Sequence, residues 1–244
     1  MKQRADQILV HRGLVESRTR AQALILAGKV FSAERRVDKA GDMLAETVPL
    51  EVRGQDHPWV SRGGLKLAHG LAHFGFSSAG RICLDIGAST GGFTDVLLAN
   101  GAARVHAVDV GYGQLAWRLR SDERVIVHEK TNARYLDRAA VPDPIEALVC
   151  DASFIGLTTV LPAPLALCIP NAWAIVLIKP QFEAGAASVG GKGVVRDPAV
   201  HRSVCERILK WWSGLQGWSV AGVVESPITG PEGNKEFLLG ARFA

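Results

Sequence analysis

An apolar run, Arg81-Ile82-Cys83-Leu84-Asp85-Ile86, opens directly into Gly87-Ala88-Ser89-Thr90-Gly91-Gly92 and then into a helical pattern starting near Phe93. A strand, a glycine loop and a helix in that order let a ligand approach the backbone closely. What the loop lacks narrows the ligand. The dinucleotide fingerprint G-x-G-x-x-G needs a glycine where Ser89 stands, and the phosphate loop needs Lys-Ser or Lys-Thr where Phe93-Thr94 stand. Neither phosphate-binding pattern fits. Asp85, just before the loop, suits a ligand with a cationic amine, such as the methionine end of S-adenosylmethionine (SAM). A second candidate strand ends in Val108-Asp109, where an acid accepts hydrogen bonds from both ribose hydroxyls of an adenosine ligand. The cofactor-binding candidates are therefore Asp85, Gly87, Ser89, Gly91, Gly92 and Asp109. Asn132, after the third strand, is either an adenine contact or an ordinary turn residue.

A second group of ionisable residues stands at the ends of elements. A fourth strand ends at Asp151, in Cys150-Asp151-Ala152-Ser153-Phe154, and a fifth at Lys179, in Ile178-Lys179-Pro180-Gln181-Phe182. If the last strand returns antiparallel, its first residues, near Glu236, lie at the same edge, the carboxyl edge where doubly wound sheets bind ligands. Each of these residues alone reads as a surface charge; together on one rim they are informative. Lys66 precedes the first strand on a helix whose buried stripe is Leu67, Leu71 and Phe74. It lies off that stripe, so the pattern alone reads it equally well as a solvated lysine.

The elements that must position these residues alternate. Candidate strands are Ile82–Ile86, Val105–Val108, Val125–Val127, Ala147–Cys150, Trp173–Ile178, Val220–Val224 and Phe237–Ala241; candidate helices are Gly64–Phe74, Phe93–Asn100, Leu157–Leu167 and Pro198–Trp212. Strands separated by helices imply a mostly parallel α/β sheet, doubly wound, with helices on both faces. No helix intervenes between the last two strands, which permits an antiparallel return.

The front of the chain has a different texture. Arg4–Arg12 predicts a helix carrying Ile8 and Leu9 and stopped by Gly13. Ser17 predicts a cap for a second helix, Arg18–Ala27, with Ala21, Leu24 and Ile25 on one face and Gly28 at its stop. Short strands are expected around Lys29-Val30-Phe31 and Val48–Val52. The polar stretch Arg53–Pro58 contains Gly and Pro and reads as connection. The expected division is a small α+β domain over 1–55, a linker over 56–60 and the larger domain over 61–244.

Over residues 1–40, nine Lys and Arg oppose four Asp and Glu, so the local excess of +5 exceeds the +4 of the whole chain. Positive charge is concentrated at the front, and Arg4, Arg18, Arg20, Lys29, Arg35 and Arg36 are candidate phosphate contacts. With 48% apolar residues the chain is not a disordered polyelectrolyte. The stretch Ile155–Ile169 is cut by Pro162 and Pro164 and is too short to span a bilayer. The first residues lack the apolar run of a signal peptide. Cys83, Cys150, Cys168 and Cys205 show no zinc spacing, and no metal is expected. Cys83 and Cys150 read as small buried hydrophobes. A reduced, soluble, cytoplasmic protein is the expectation.

Lys66, Asp151, Lys179 and Glu236 match, in order, the K-D-K-E tetrad of FtsJ-like ribose 2′-O-methyltransferases. The strings Ser61-Arg62-Gly63-Gly64-Leu65-Lys66, Gly87–Gly92, Lys179-Pro180-Gln181-Phe182-Glu183, Gly193–Pro198 and Gly233-Asn234-Lys235-Glu236-Phe237 resemble the TlyA family, often labelled haemolysins. Leu14–Arg18 and Ala21–Lys29 resemble an S4-type RNA-binding domain. The resemblance covers nearly the whole chain. It implies a seven-stranded, Rossmann-like, SAM-dependent methyltransferase fold behind a small S4-like domain. It also implies methylation of a cytidine 2′-hydroxyl in ribosomal RNA. The chain starts and ends close to the motif boundaries, as in the shorter, large-subunit type rather than the longer type that also modifies the small subunit. The expected partner is ribosomal RNA or a ribosomal subunit, not DNA or a membrane. No apolar span or strongly amphipathic lytic helix supports pore formation.

Under that resemblance the catalytic set is Lys66, Asp151, Lys179 and Glu236, with Lys179 as candidate base. A free lysine amine titrates at about 10.4. A neighbouring Lys66 and burial lower that value, whereas Asp151 and Glu236 raise it, so the sequence leaves open whether Lys179 takes the proton or stabilises a developing alkoxide as a cation. Phe154 and Phe182 either support a displaced base by stacking or pack in the core. Gly185–Gly193 reads as a flap over substrate or as a plain surface loop. Rival readings are a nicotinamide-dependent oxidoreductase, an RNA-binding assembly factor with a vestigial pocket, and a membrane-lytic protein.

Overall fold

The computed structural model of the chain describes residues 2–15, 17–54, 57–185, 190, 193–230 and 232–244. At the front, strand β1 (Lys2–Arg4) leads into helix α1 (Ala5–His11), and helix α2 (Arg18–Leu26) follows. Ser17 is extended and its hydroxyl accepts the Arg20 N–H at 3.2 Å, the N-cap its residue type predicts. The helices pack through Ala5, Leu9, Ala21, Leu24 and Ile25 against Val30 and Val37. Strands β2 (Val30–Ser32), β3 (Arg35–Arg36) and β5 (Glu51–Val52) make a three-stranded sheet, and β4 (Met43–Ala45) pairs antiparallel with β1. Two expectations shift. Helix α1 starts at Ala5, because Lys2–Arg4 extend to pair with Met43–Ala45. The Val48–Val52 run is strand only at its end, beyond Pro49, which has no N–H for a ladder.

Helix α3 (Gly63–Phe74) opens the larger half. Seven strands follow: β6 (Ile82–Ile86), β7 (Arg104–Val108), β8 (Val125–His128), β9 (Ile145–Cys150), β10 (Cys168–Ile178), β11 (Trp218–Glu225) and β12 (Phe237–Phe243). They form one sheet in the order β11-β12-β10-β9-β6-β7-β8. Strands β8, β7, β6, β9 and β10 run parallel, and β12 is antiparallel to both β10 and β11, the predicted return. Among the intervening helices are α4 (Gly92–Ala99), α5 (Trp117–Arg120), α8 (Pro180–Glu183) and α9 (Pro198–Ser213), the last capped by Asp197 with Pro198 at its first position.

Side-chain alternation along each strand feeds two cores. On one face Leu84, Ile86, Leu148, Val176 and Leu239 meet Val204, Ile208 and Trp212 of α9. On the other, Cys83, Val149, Ile175 and Leu238 meet Leu67 and Leu71 of α3 and Val96 and Leu97 of α4. The continuous helix expected over Leu157–Leu167 is instead two single turns, α6 (Leu157–Val160) and α7 (Pro162–Leu165). Pro162 and Pro164 supply no N–H to carry a hydrogen-bond ladder through.

The chain runs outward from β6 through β7 to β8, then returns to β9 on the other side of β6. A crevice therefore opens at the carboxyl ends of β6 and β9, the switch point where such sheets hold ligands. Gly87 lies there with φ 80°, and a Cβ on it would sit 2.9 Å from the Ala152 backbone just past β9. Glycine lets the two strand ends close together.

Candidate active site

The four ionisable residues singled out by spacing meet at this edge. Asp151 follows β9, Lys179 follows β10, and Glu236 precedes the antiparallel β12. Lys66 reaches them from the first turns of α3. Lys66 Nζ lies 2.6 Å from Glu236 Oε2 and 3.7 Å from Asp151 Oδ2, and Lys179 Nζ lies 2.6 Å from Asp151 Oδ1. The charges alternate along the chain Glu236, Lys66, Asp151, Lys179. The side chains are 1%, 7%, 19% and 8% exposed in that order, so the set opens to solvent through Asp151. The amphipathic pattern of α3 reads Lys66 as a possible solvated lysine; the structure buries it, because polar strand ends rather than water cover that side of the helix. Desolvating such a set is costly and argues poorly for stability. Its place at the ligand edge argues for chemistry.

A cleft of about 830 Å³ opens over this set. Its lining includes Lys66, Asp151, Lys179 and Glu236 together with Gly87, Ser89 and Gly92 of the glycine loop. A neighbouring cleft of about 480 Å³ is lined by Gly87, Ser89, Asp109, Asn132, Asp151, Ser153 and Phe154. The two share Gly87, Ser89, Asp151 and Ser153, so the loop and the end of β9 form the seam between them. The smaller cleft has the size of a small-ligand site, and its polar lining of two carboxylates (Asp109, Asp151), two side-chain amides (Gln114, Asn132) and open backbone suits an adenosine group. Those residues fit a bound SAM.

At three of the cofactor-binding candidates, Asp85, Asp109 and Asn132, the side chain also holds the local structure. Asp85 does not line either cleft. It is fully buried on β6, where its Oδ2 accepts the Thr94 hydroxyl at 2.6 Å, and burial pushes its pKa up to about 7 against the Thr94 hydrogen bond. A direct pairing of Asp85 with a ligand amine is therefore corrected: the side chain points beneath the loop. Asp109 accepts the Ser89 N–H at 2.8 Å and the Gly111 N–H at 2.7 Å, so it ties the glycine loop to β7 as well as lining the smaller cleft. Asn132 caps the single 3-10 turn Ala133–Tyr135 through the Arg134 N–H at 3.1 Å while facing the same cleft. Gly91 and Gly92 serve packing: a Cβ on Gly91 would lie 2.3 Å from Leu119, and one on Gly92 2.3 Å from the Ser61 hydroxyl.

Phe154 stands at the rim, 90% exposed, with φ 65°, a left-handed backbone that a bulky side chain rarely adopts. Its ring lies 5.0 Å from that of Phe182. Core packing is thus excluded for Phe154. The flap expected over Gly185–Gly193 falls largely on residues 186–189 and 191–192, outside the described residues.

Three features escaped the sequence. Ser17, Thr19, Arg20 and Ala23, at the start of α2, line the larger cleft together with the lysine–carboxylate set, so the front domain forms one of its walls. Gly13 lies against α5's approach, where a Cβ would sit 2.2 Å from the Ala116 Cβ. Nothing local signals that contact. Glu183 accepts the Leu157 N–H at 2.6 Å, fastening the loop after β9 to the turn after Lys179. Of the proposed phosphate contacts, Arg4 and Arg18 pair with the buried Asp6 at 3.0 and 3.1 Å, Arg36 pairs with Asp38 at 2.6 Å, and Lys29 donates to the Gly54 carbonyl at 3.1 Å. Arg35 is exposed, and Arg20 faces the cleft.

A doubly wound sheet with an antiparallel last strand, a glycine turn and a buried lysine–carboxylate set at its switch point defines a Rossmann-like methyltransferase. Residues 59–243 match the FtsJ-like methyltransferase family model, and residues 3–47 match the S4 domain. The 16S/23S rRNA (cytidine-2′-O)-methyltransferase TlyA of Mycobacterium tuberculosis is 47% identical over 240 residues, covering 98% of this chain and 89% of that protein. Hemolysin A of Brachyspira hyodysenteriae is 39% identical over 236 residues, covering 96% of this chain and 98% of its own. A solved structure from Streptococcus thermophilus, carrying a hemolysin designation, superposes with a TM-score of 0.77 at 40% identity, covering all 100% of this chain and 89% of the other. The chain belongs to the FtsJ-like methyltransferases and, with its S4 domain and full-length relatives, to the TlyA family. Among the described residues no helix is long and apolar enough to cross a membrane.

Proposed function

We propose that this protein transfers the methyl group of SAM to the ribose 2′-hydroxyl of a cytidine in ribosomal RNA, with the large subunit as its main substrate. The observation that carries the reading is the alternating set Glu236, Lys66, Asp151, Lys179 opening into a cleft that shares a wall with the adenosine-sized one. The named 16S/23S activity of the Mycobacterium tuberculosis relative supports a ribosomal RNA cytidine as the acceptor, and the named 23S activity of a Campylobacter jejuni relative, 38% identical over 229 residues, supports the large subunit.

SAM, when bound, supplies an electrophilic methyl on a sulfonium. The chain's residues do the rest. Asp109 and Asn132 hold the adenosine end, and Gly87 to Gly92 let the ligand lie against backbone. Lys66 and Glu236 fix Asp151, which in turn orients Lys179 toward the incoming hydroxyl. A ribose hydroxyl is a poor nucleophile while protonated, so orientation and proton removal are both required. Lys179 takes that proton or, as a cation, stabilises the developing alkoxide. The front domain's Arg20 and Arg35 hold RNA phosphates, which set affinity rather than choice of base. Phe154 offers an exposed ring on which a splayed base stacks, the usual way that a single nucleotide is presented.

Mapping 2′-O-methyl groups in ribosomal RNA from cells with and without the protein tests the reading. A cytidine methylated only when the protein is present supports it. Identical maps, together with no tritiated-methyl transfer to unmodified subunits, refute it.

A further inference from the structure

Three oxygens surround the Lys179 amine. Nζ lies 2.6 Å from Asp151 Oδ1, 3.1 Å from the Asp151 main-chain carbonyl and 2.9 Å from Ser153 Oγ. The first two only accept hydrogen bonds, whereas a hydroxyl both donates and accepts. An ammonium therefore satisfies all three with its three N–H groups. After losing a proton, the amine keeps two N–H groups on the Asp151 oxygens and turns its lone pair to Ser153, whose O–H then donates. Ser153 is the one contact of the three that survives deprotonation by reversing direction.

Its position matches that property. Ser153 is exposed and lines both clefts, while the Lys179 side chain is recessed and 8% exposed. A hydroxyl held at the seam between the clefts reaches Ser153 more readily than it reaches the amine. The backbone fixes the serine there, because Phe154 after it takes the left-handed conformation and Glu183 pins the Leu157 N–H beyond.

We propose that Ser153 is a further catalytic residue, relaying the proton from the methyl-accepting hydroxyl to Lys179. The acceptor O–H bond breaks and its proton passes to Ser153 Oγ, while the Ser153 O–H proton passes to the Lys179 lone pair. Serine ends as the neutral hydroxyl it was, and lysine ends as ammonium. The electron pair left on the acceptor oxygen forms the new C–O bond, and the pair of the broken C–S bond stays on the donor's sulfur. Lys179 returns its proton to solvent between turnovers. This role rests on the methyltransferase reading above.

The test compares the full chain with Ser153→Ala and Ser153→Thr in single turnovers on unmodified ribosomal subunits. SAM and RNA affinities are measured separately, and rates are repeated in mixtures of light and heavy water. The alanine variant should transfer methyl on the order of 100-fold more slowly, the low end of a proton-transfer contribution, with both affinities unchanged. The threonine variant, which keeps the hydroxyl, should recover most of the rate. The rate against deuterium fraction should bow for wild type, where two protons move together, and run straight for Ser153→Ala. An alanine variant as fast as an active wild type, or a straight plot for the wild type, overturns the relay alone. A wild type that transfers no methyl overturns the function and the relay together.

Discussion

Lys66 Nζ and Glu236 Oε2 meet at 2.6 Å with both side chains buried, one at the start of the methyltransferase half and the other near its end. Removing the carboxylate leaves the ammonium, among the described residues, with the Asp151 oxygen at 3.7 Å as its remaining ion-pair partner. Glu236→Ala should therefore lose about 3–5 kcal/mol of stability, the cost of orphaning a buried charge. The double variant Lys66→Met, Glu236→Leu should recover most of that loss without recovering methyl transfer. Thermal unfolding with parallel turnover assays separates the two effects. Equal melting of Glu236→Ala and wild type contradicts the pairing.

Lys179 makes its polar contacts with Asp151 and Ser153, and it does not line the smaller cleft. Lys179→Ala should thus abolish transfer while SAM affinity, measured by calorimetry, stays within about twofold. Near-normal turnover removes Lys179 from the mechanism.

Asp85 is fully buried and its pKa is pushed up to about 7. A carboxyl whose folded pKa exceeds its unfolded value of about 3.9 favours the folded state when protonated. Its contribution is present at low pH and is lost as pH rises from about 4 through 7. Asp85→Asn, which keeps an oxygen to accept the Thr94 hydroxyl, should relieve that loss. Its melting point should exceed wild type by roughly 5 °C more at pH 8 than at pH 5. A gap that is constant across this range, or that widens toward acid, shows that Asp85 is ionised in the folded protein.

Gly13 has φ 65° and lies where a Cβ would collide with Ala116. Gly13→Val should shift the front domain off the cleft and lower transfer more than tenfold, with SAM affinity retained. Arg20→Ala, which removes a cation lining the cleft without altering the docking, should weaken RNA binding and reduce its log–log salt slope by about one. Salt titrations of RNA binding read the second effect directly. Unchanged slopes place Arg20 outside the RNA contact.

Much of the fold is legible in the chain because its signals are local. Apolar runs mark the seven strands, Ser17 marks a helix start, and the missing helix between the last strands permits the antiparallel return. The proline spacing in 157–167 was equally visible, and it is why that segment breaks into two turns. Candidate site residues could be found the same way, since Asp151, Lys179 and Glu236 stand at strand ends.

Contacts between distant segments have no such signal. Helical periodicity sorts residues by whether they face apolar core, so it separates Lys66 from the buried stripe. Only the assembled sheet edge shows that its other side is covered by Glu236 and Asp151. The same limit hid the inward turn of Asp85, the use of Arg4 and Arg18 to hold Asp6, and the wall that α2 contributes to the cleft. Residue type and spacing determined which groups were available for chemistry. Tertiary packing decided which of them share one dry space, because a charge's environment is set by neighbours that the chain brings from far away.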